Sequence, residues 1–163
     1  MNYRPNPQYG YYLRLPAQKT EYVKWNDSYK LGIKQIDDQH KGLLGLVNDL
    51  LNHTAGNKED EFVYFKEIIG QIVDYSKIHF VTEEKIMLAT QFPGYSVHKM
   101  AHDKFILTVV QNVKDFEAGK RLVLINFSNY LKNWILGHIA IVDVKYSEHF
   151  KRVIAERAAL SPA

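Results

Sequence analysis

From Ile36 onward the apolar positions recur at intervals of three and four, the period of an amphipathic helix rather than of a strand. The first stripe runs Ile36, His40, Leu43, Leu44, Val47, Leu50 and Leu51, and Gly56-Asn57 forms a helix-ending signal behind it. Glu59, Asp60 and Glu61 then place negative charge where a new helix N-terminus favours it. The second stripe is Phe62, Phe65, Ile69, Ile72, His79, Glu83 and Ile86, and it breaks at Phe92-Pro93-Gly94. Ser96 is placed to cap a third helix with the stripe His98, His102, Phe105, Val109 and Val113, ending before Gly119. The fourth runs from about Arg121 through Phe127, Leu131, Trp134, Ile135, His138 and Ile141 to the region of Arg157. Four long helices with short connections predict an all-α, antiparallel up-down-up-down four-helix bundle, because short loops force neighbours to run in opposite directions.

Polar residues interrupt these stripes. Each of the four carries histidine, although the buried face of such a helix should be apolar. A buried carboxylate without partners costs several kcal/mol, so the placement of Glu83 calls for pairing, hydrogen bonding or metal. His79 and Glu83 in HFVTEE, and His98 and His102 in HKMAH, are four apart and share a helix face, as two ligands to one centre must. His40 stands alone on the first helix. His138 and Asp143 in HIAIVD are five apart, about 140° around an ideal helix, which suits ligands approaching different parts of a site. Taken singly, each is an ordinary buried polar residue; taken together they point to metal. Five imidazoles and two carboxylates are too many for one ion, and imidazole with carboxylate suits iron. If the carboxylates and an oxygen bridge two octahedral ions, about one of about twelve positions stays open for a small ligand.

Composition narrows the class. The 163 residues are 46% hydrophobic, enough for one substantial core. No cysteine is present, so thiolate metal sites, disulfides and cysteine nucleophiles are excluded, and the chain fits a reducing cytoplasm. A net charge of +3 is too mild for a nucleic-acid binder that relies on phosphate neutralisation. No apolar run approaches the about 20 residues a membrane span needs, and the start of the chain does not read as a signal peptide. Residues 1–36 carry six basic and two acidic residues and six of the 11 tyrosines, which marks 1–23 as a Tyr/Pro-rich extended arm ahead of a body at 24–158.

Four segments in order, WNDSYKLGIKQIDDQH, HFVTEEKIM, HKMAH and WILGHIAIVDVKY, closely resemble the signatures of the hemerythrins, the bacterial ones in particular. The resemblance spans about residues 24 to 150. It implies an oxo- or hydroxo-bridged di-iron centre, two iron ions per chain. His98, His102 and His138 would hold one iron, His40 and His79 the other, and Glu83 and Asp143 would bridge them. It implies reversible binding of dioxygen, held as hydroperoxide on the iron with fewer protein ligands, in a carrier, store or supplier to an oxygen-consuming enzyme rather than in an enzyme. The oxygen pocket would map onto Leu43, Phe80, Trp134 and Ile135, with Tyr146 near the carboxylate bridge. Trp25 is expected to pack on the bundle end, and His53 and His149 to be solvent or capping residues.

Two other readings compete. A sensor of oxygen, nitric oxide or iron would use the same site to control a partner through the aromatic, basic tail. A di-iron oxidase or peroxidase of the ferritin type would use Glu-x-x-His pairs, and none occurs in this chain.

Overall fold

The computed structural model describes residues 3–5, 12–14, 21–52, 58–118 and 124–160. Within the N-terminal arm two short strands, β1 (Tyr3–Pro5) and β2 (Tyr12–Arg14), pair antiparallel with Tyr3 opposite Arg14. A 3-10 turn at Asp27–Tyr29 follows, capped by Asn26, whose side chain accepts from the Ser28 N–H. The body comprises α1 (Lys34–Asn52), α2 (Lys58–Ala89), α3 (Tyr95–Glu117), α4 (Leu124–Gly137) and α5 (Val144–Leu160). A π-helical turn, His138–Asp143, joins α4 to α5, so the fourth stripe runs on as one helical rod. Pairing α1 with α2 and α4, and α2 with α3, closes a four-helix bundle.

Side chains on α1 tie down the chain that enters it. Asp37 accepts the Leu31 and Gly32 N–H groups at 2.7 and 3.1 Å. Asn48 accepts from the Val23 N–H at 2.9 Å and donates to the Val23 carbonyl at 2.8 Å. Trp25 lies edge-on to Tyr29 and under the Lys41 ammonium, partly buried against the core as its segment was expected to be. Gly56-Asn57, the predicted end of the first helix, falls outside the described residues, as do His53 and the Arg121 start of the fourth.

The turn between α2 and α3 corrects one expectation. Gln91 takes a left-handed φ of 54°, and the Phe92 N–H bonds back to the Met87 carbonyl, which ends α2 early. The N-cap of α3 is Gly94, with no side-chain capping bond, and Ser96 lies inside the helix, exposed. A Cβ on Gly94 would sit 2.6 Å from the Phe92 ring, so the tight turn rather than a serine hydroxyl sets where the helix begins.

The core is two clusters with a polar layer between them. The larger gathers Leu43, Val47, Phe65, Ile72, Phe105 and Leu131 with their neighbours, and the smaller Leu31, Ile36, Met87 and Tyr146. Along α1 the order is Ile36, His40, Leu43; along α2 it is Phe80, Glu83, Met87; and in the fourth rod Ile139, Asp143, Tyr146. Each helix therefore crosses from one cluster to the other at the turn that carries its polar residue. Among the described residues no helix is long and apolar enough to cross a membrane.

Candidate metal centre

The pairs at i and i+4 on α2 and α3 share a face, as their spacing requires. The pair at i and i+5 does so for a different reason. The π turn over HIAIVD hydrogen-bonds with an i→i+5 pattern, which stacks residues five apart, and Asp143 Oδ1 lies 3.1 Å from His138 Nε2. Ideal α geometry, with the two about 140° apart, does not hold here. The widened turn also rotates the stripe: Ile141, expected on the apolar face, is 65% exposed, and Ile139 is buried.

His40, His79, Glu83, His98, His102, His138 and Asp143 converge, all buried, with His40, Glu83 and Asp143 fully so. The Nε2 atoms of His98, His102 and His138 lie 3.0, 3.0 and 3.2 Å from one another. An imidazole nitrogen either carries a proton or accepts one, so three of them cannot close a ring of hydrogen bonds. Donors about 2.1 Å from one ion and at right angles lie about 3.0 Å apart, the spacing found here.

Each carboxylate spans two histidine groups. Glu83 turns Oε2 to His98 and His102 at 3.4 and 3.1 Å, and Oε1 to His79 and His40 at 3.5 and 3.8 Å. Asp143 turns Oδ1 to His98 and His138 at 3.3 and 3.1 Å, and Oδ2 to His40 at 3.3 Å. Two sets of donor atoms result, one of His98, His102 and His138, the other of His40 and His79, with Glu83 and Asp143 common to both.

Electrostatics and hydrogen bonding together fit metal. Six atoms of the cluster are buried without a hydrogen-bond partner among the described residues: both ring nitrogens of His40, His98 Nδ1, Glu83 Oε2 and both oxygens of Asp143. Each such atom costs about 1–3 kcal/mol unless something satisfies it. Burial alone would raise the Glu83 pKa, but the facing imidazoles hold it well below the ordinary carboxylate range. Asp143 is lowered too, against burial and the Glu83 charge, by His138 and His40. Burial pulls the His40 pKa down, yet the Asp143 and Glu83 carboxylates prevail and raise it to about 9. For His79 burial wins, and its pKa falls to about 4. Imidazole and carboxylate without thiolate suit first-row transition ions that take hard oxygen ligands.

A second layer orients the rings. His79 donates from Nδ1 to Gln39 Oε1 at 3.1 Å, and Gln39 in turn donates to Thr82 at 3.3 Å. His102 Nδ1 lies 3.3 Å from Glu84 Oε1. Bonds of this kind fix the tautomer that leaves Nε2 free to ligate. Phe80 stacks on His102 at 3.8 Å, and Trp134 on His138 at 4.3 Å.

A cavity of about 10 Å³, room for one very small molecule, opens between His40, His79, His138 and Asp143. Leu43, Phe80, Trp134 and Ile135, the pocket positions mapped from sequence, line it. Tyr146 does not. It lies in the smaller apolar cluster and donates to Glu83 Oε1 at 2.9 Å, because the π turn carries the chain past the carboxylates before Tyr146 is reached. Burial and the neighbouring carboxylates push its pKa up, so it stays a proton donor. Sequence reasoning missed Ser76 and Ile139 in the lining, and Gln39 and Glu84 behind the rings. Ser76 was findable, since it shares a face with His79 three residues on. His149 caps instead: its Nε2 donates to the Thr90 carbonyl at the end of α2, while Nδ1 accepts from Arg152.

Residues 31–147 match the family described as hemerythrin HHE cation binding domain. The chain is 31% identical over 127 residues to a bacteriohemerythrin of Stenotrophomonas maltophilia, covering 78% of this chain and 80% of that one. It is 33% identical over 122 residues to hemerythrin subunit 1 of Golfingia vulgaris, covering 75% and 88%. A crystal structure of wild-type hemerythrin superposes with a TM-score of 0.69 at 26% identity, covering 79% of this chain and 98% of that one.

Proposed function

The chain belongs to the hemerythrin family, and on that premise we propose that it holds two iron ions and binds dioxygen reversibly between them and the cavity wall. One observation carries the reading: Glu83 and Asp143 each turn one oxygen to each histidine group, the arrangement two neighbouring ions need. His98, His102 and His138 would hold one ion, and His40 and His79 the other. When bound, such a pair supplies two electrons and one open coordination position to an incoming oxygen molecule.

The side chains do the rest. Leu43, Phe80, Trp134, Ile135 and Ile139 keep water away from the cavity, which protects bound oxygen from proton-assisted loss. Gln39 and Glu84 hold the His79 and His102 rings in register. Tyr146 holds the Glu83 carboxylate from the opposite side with its proton. Residues 24–158 form the working unit, a carrier, store or supplier for an oxygen-consuming enzyme rather than a catalyst. A reducing cytoplasm, which the absence of cysteine fits, is its compartment.

The test is the visible spectrum of iron-loaded protein, reduced without oxygen, exposed to air, then deoxygenated, with iron counted per chain. A charge-transfer band that comes and goes with oxygen at two irons per chain is the expected result. One-way conversion to a ferric spectrum overturns reversible carriage, and failure to load iron overturns the centre itself.

A further inference from the structure

Ser76 stands apart from the other helical hydroxyls. Thr82, Thr90 and Thr108 each donate to the carbonyl four residues back, at 2.8 Å in every case. Ser76, on the same helix as Thr82, is 1% exposed, and its Oγ has no hydrogen-bond partner among the described residues. It lines the cavity, where among the described residues it is the only hydroxyl, set between the apolar Leu43, Phe80, Trp134, Ile135 and Ile139 and the polar His40, His79, His138 and Asp143. A buried hydroxyl without a partner costs stability, and alanine is also the better helix former, so folding alone gives no reason for serine here. Ser76 and His79 are three apart on one face of α2 and open on the same cavity.

We propose that Ser76 is the polar contact for a small anionic ligand in this cavity, its hydroxyl donating a hydrogen bond to a two- or three-atom anion held beside His40 and His79. Azide serves as the probe, and dioxygen that has taken up the two electrons of the iron pair would be the physiological ligand of the same chemistry. A hydroxyl donor to an anion makes a charge-assisted bond, stronger than one between neutral groups. Beside the imidazoles of His40, His79 and His138 and the Asp143 carboxylate, the Ser76 hydroxyl adds a donor that favours a ligand carrying negative charge over neutral dinitrogen or a hydrocarbon of equal size. The inference rests on the metal-centre reading above.

Ser76→Ala separates the two. The iron-loaded ferric proteins, wild type and S76A, are titrated with sodium azide, the azide stretch is recorded in ordinary and heavy water, and the metal-free proteins are melted. S76A should take up two irons and bind azide about tenfold more weakly. The heavy-water shift of the azide stretch seen in wild type should vanish, and the metal-free variant should melt no lower than wild type. Equal azide affinity and an equal isotope shift in the two proteins overturn the proposal. Loss of iron from S76A also overturns it, by assigning Ser76 to the scaffold. A wild type that binds no metal fails the metal-centre reading instead, and takes the proposal with it.

Discussion

The two histidine groups of the site gather different numbers of imidazoles, three in one and two in the other. Around His98, His102 and His138 three Nε2 atoms crowd within 3.2 Å of each other, with Phe80 stacked on one ring and Trp134 on another. Around His40 and His79 only two imidazoles are present, meeting edge to face at 4.7 Å, and beside them lies the cavity with its unpartnered serine. Glu83 and Asp143 belong to both groups. What the protein can do follows from this inequality, since the group with fewer imidazoles leaves a place beside the cavity for a ligand.

The largest effect should come from removing what the two sides share. Glu83→Ala strips one carboxylate from both donor sets and leaves Tyr146 without its acceptor. Metal analysis should find both ions lost, not one; a variant that keeps one ion at full occupancy would show that the carboxylate serves a single side.

Filling the open side should break the comparison differently. Ile135→Phe adds bulk at the wall of a cavity of about 10 Å³, and overpacking of this kind costs about 1–3 kcal/mol. Two metals per chain should remain while azide binding and the oxygen-dependent band disappear. Retained azide affinity would mean that small ligands enter elsewhere.

The smallest effect is a pH dependence that His40 brings to the open side. The carboxylates beside His40 raise its pKa from 6.5 to about 9 in the metal-free protein, so the proton stays on the ring through neutral pH and must leave before the ring can ligate. Apparent metal affinity should therefore climb about tenfold per pH unit up to about pH 9 and flatten above it. His79, held neutral down to about pH 4, adds a second proton only in acid. Calorimetry in buffers of different ionisation enthalpy counts the released protons. The sign for stability is opposite: a raised pKa makes the His40 contribution fully present below about pH 6.5, and it fades as pH rises through about 9.

Much of this was legible in the residues, because the helical period is a local property. Backbone bonding from i to i+4 alone puts His79 with Glu83 and His98 with His102, and the stripes Ile36 to Leu50 and Phe105 to Val109 declare their buried faces wherever the helices end up. The bundle follows from short connections, and the presence of histidine on every buried stripe from simple inspection.

Three features were decided only in three dimensions. The π turn at His138–Asp143 gives up regular α bonding, a local loss that burial of Ile139 within it and of Tyr146 beyond it offsets, so no local rule foretold that residues five apart would meet or that Ile141 would face outward. Which oxygen of Glu83 and of Asp143 faces which histidine depends on how four helices are rotated against one another. The cavity at Ser76 exists only because Leu43, Trp134 and Ile139, from separate helical segments, stop short of filling it. Periodicity chose the faces. Close packing across those faces, where one methylene decides whether a gap is open or shut, chose the site's shape.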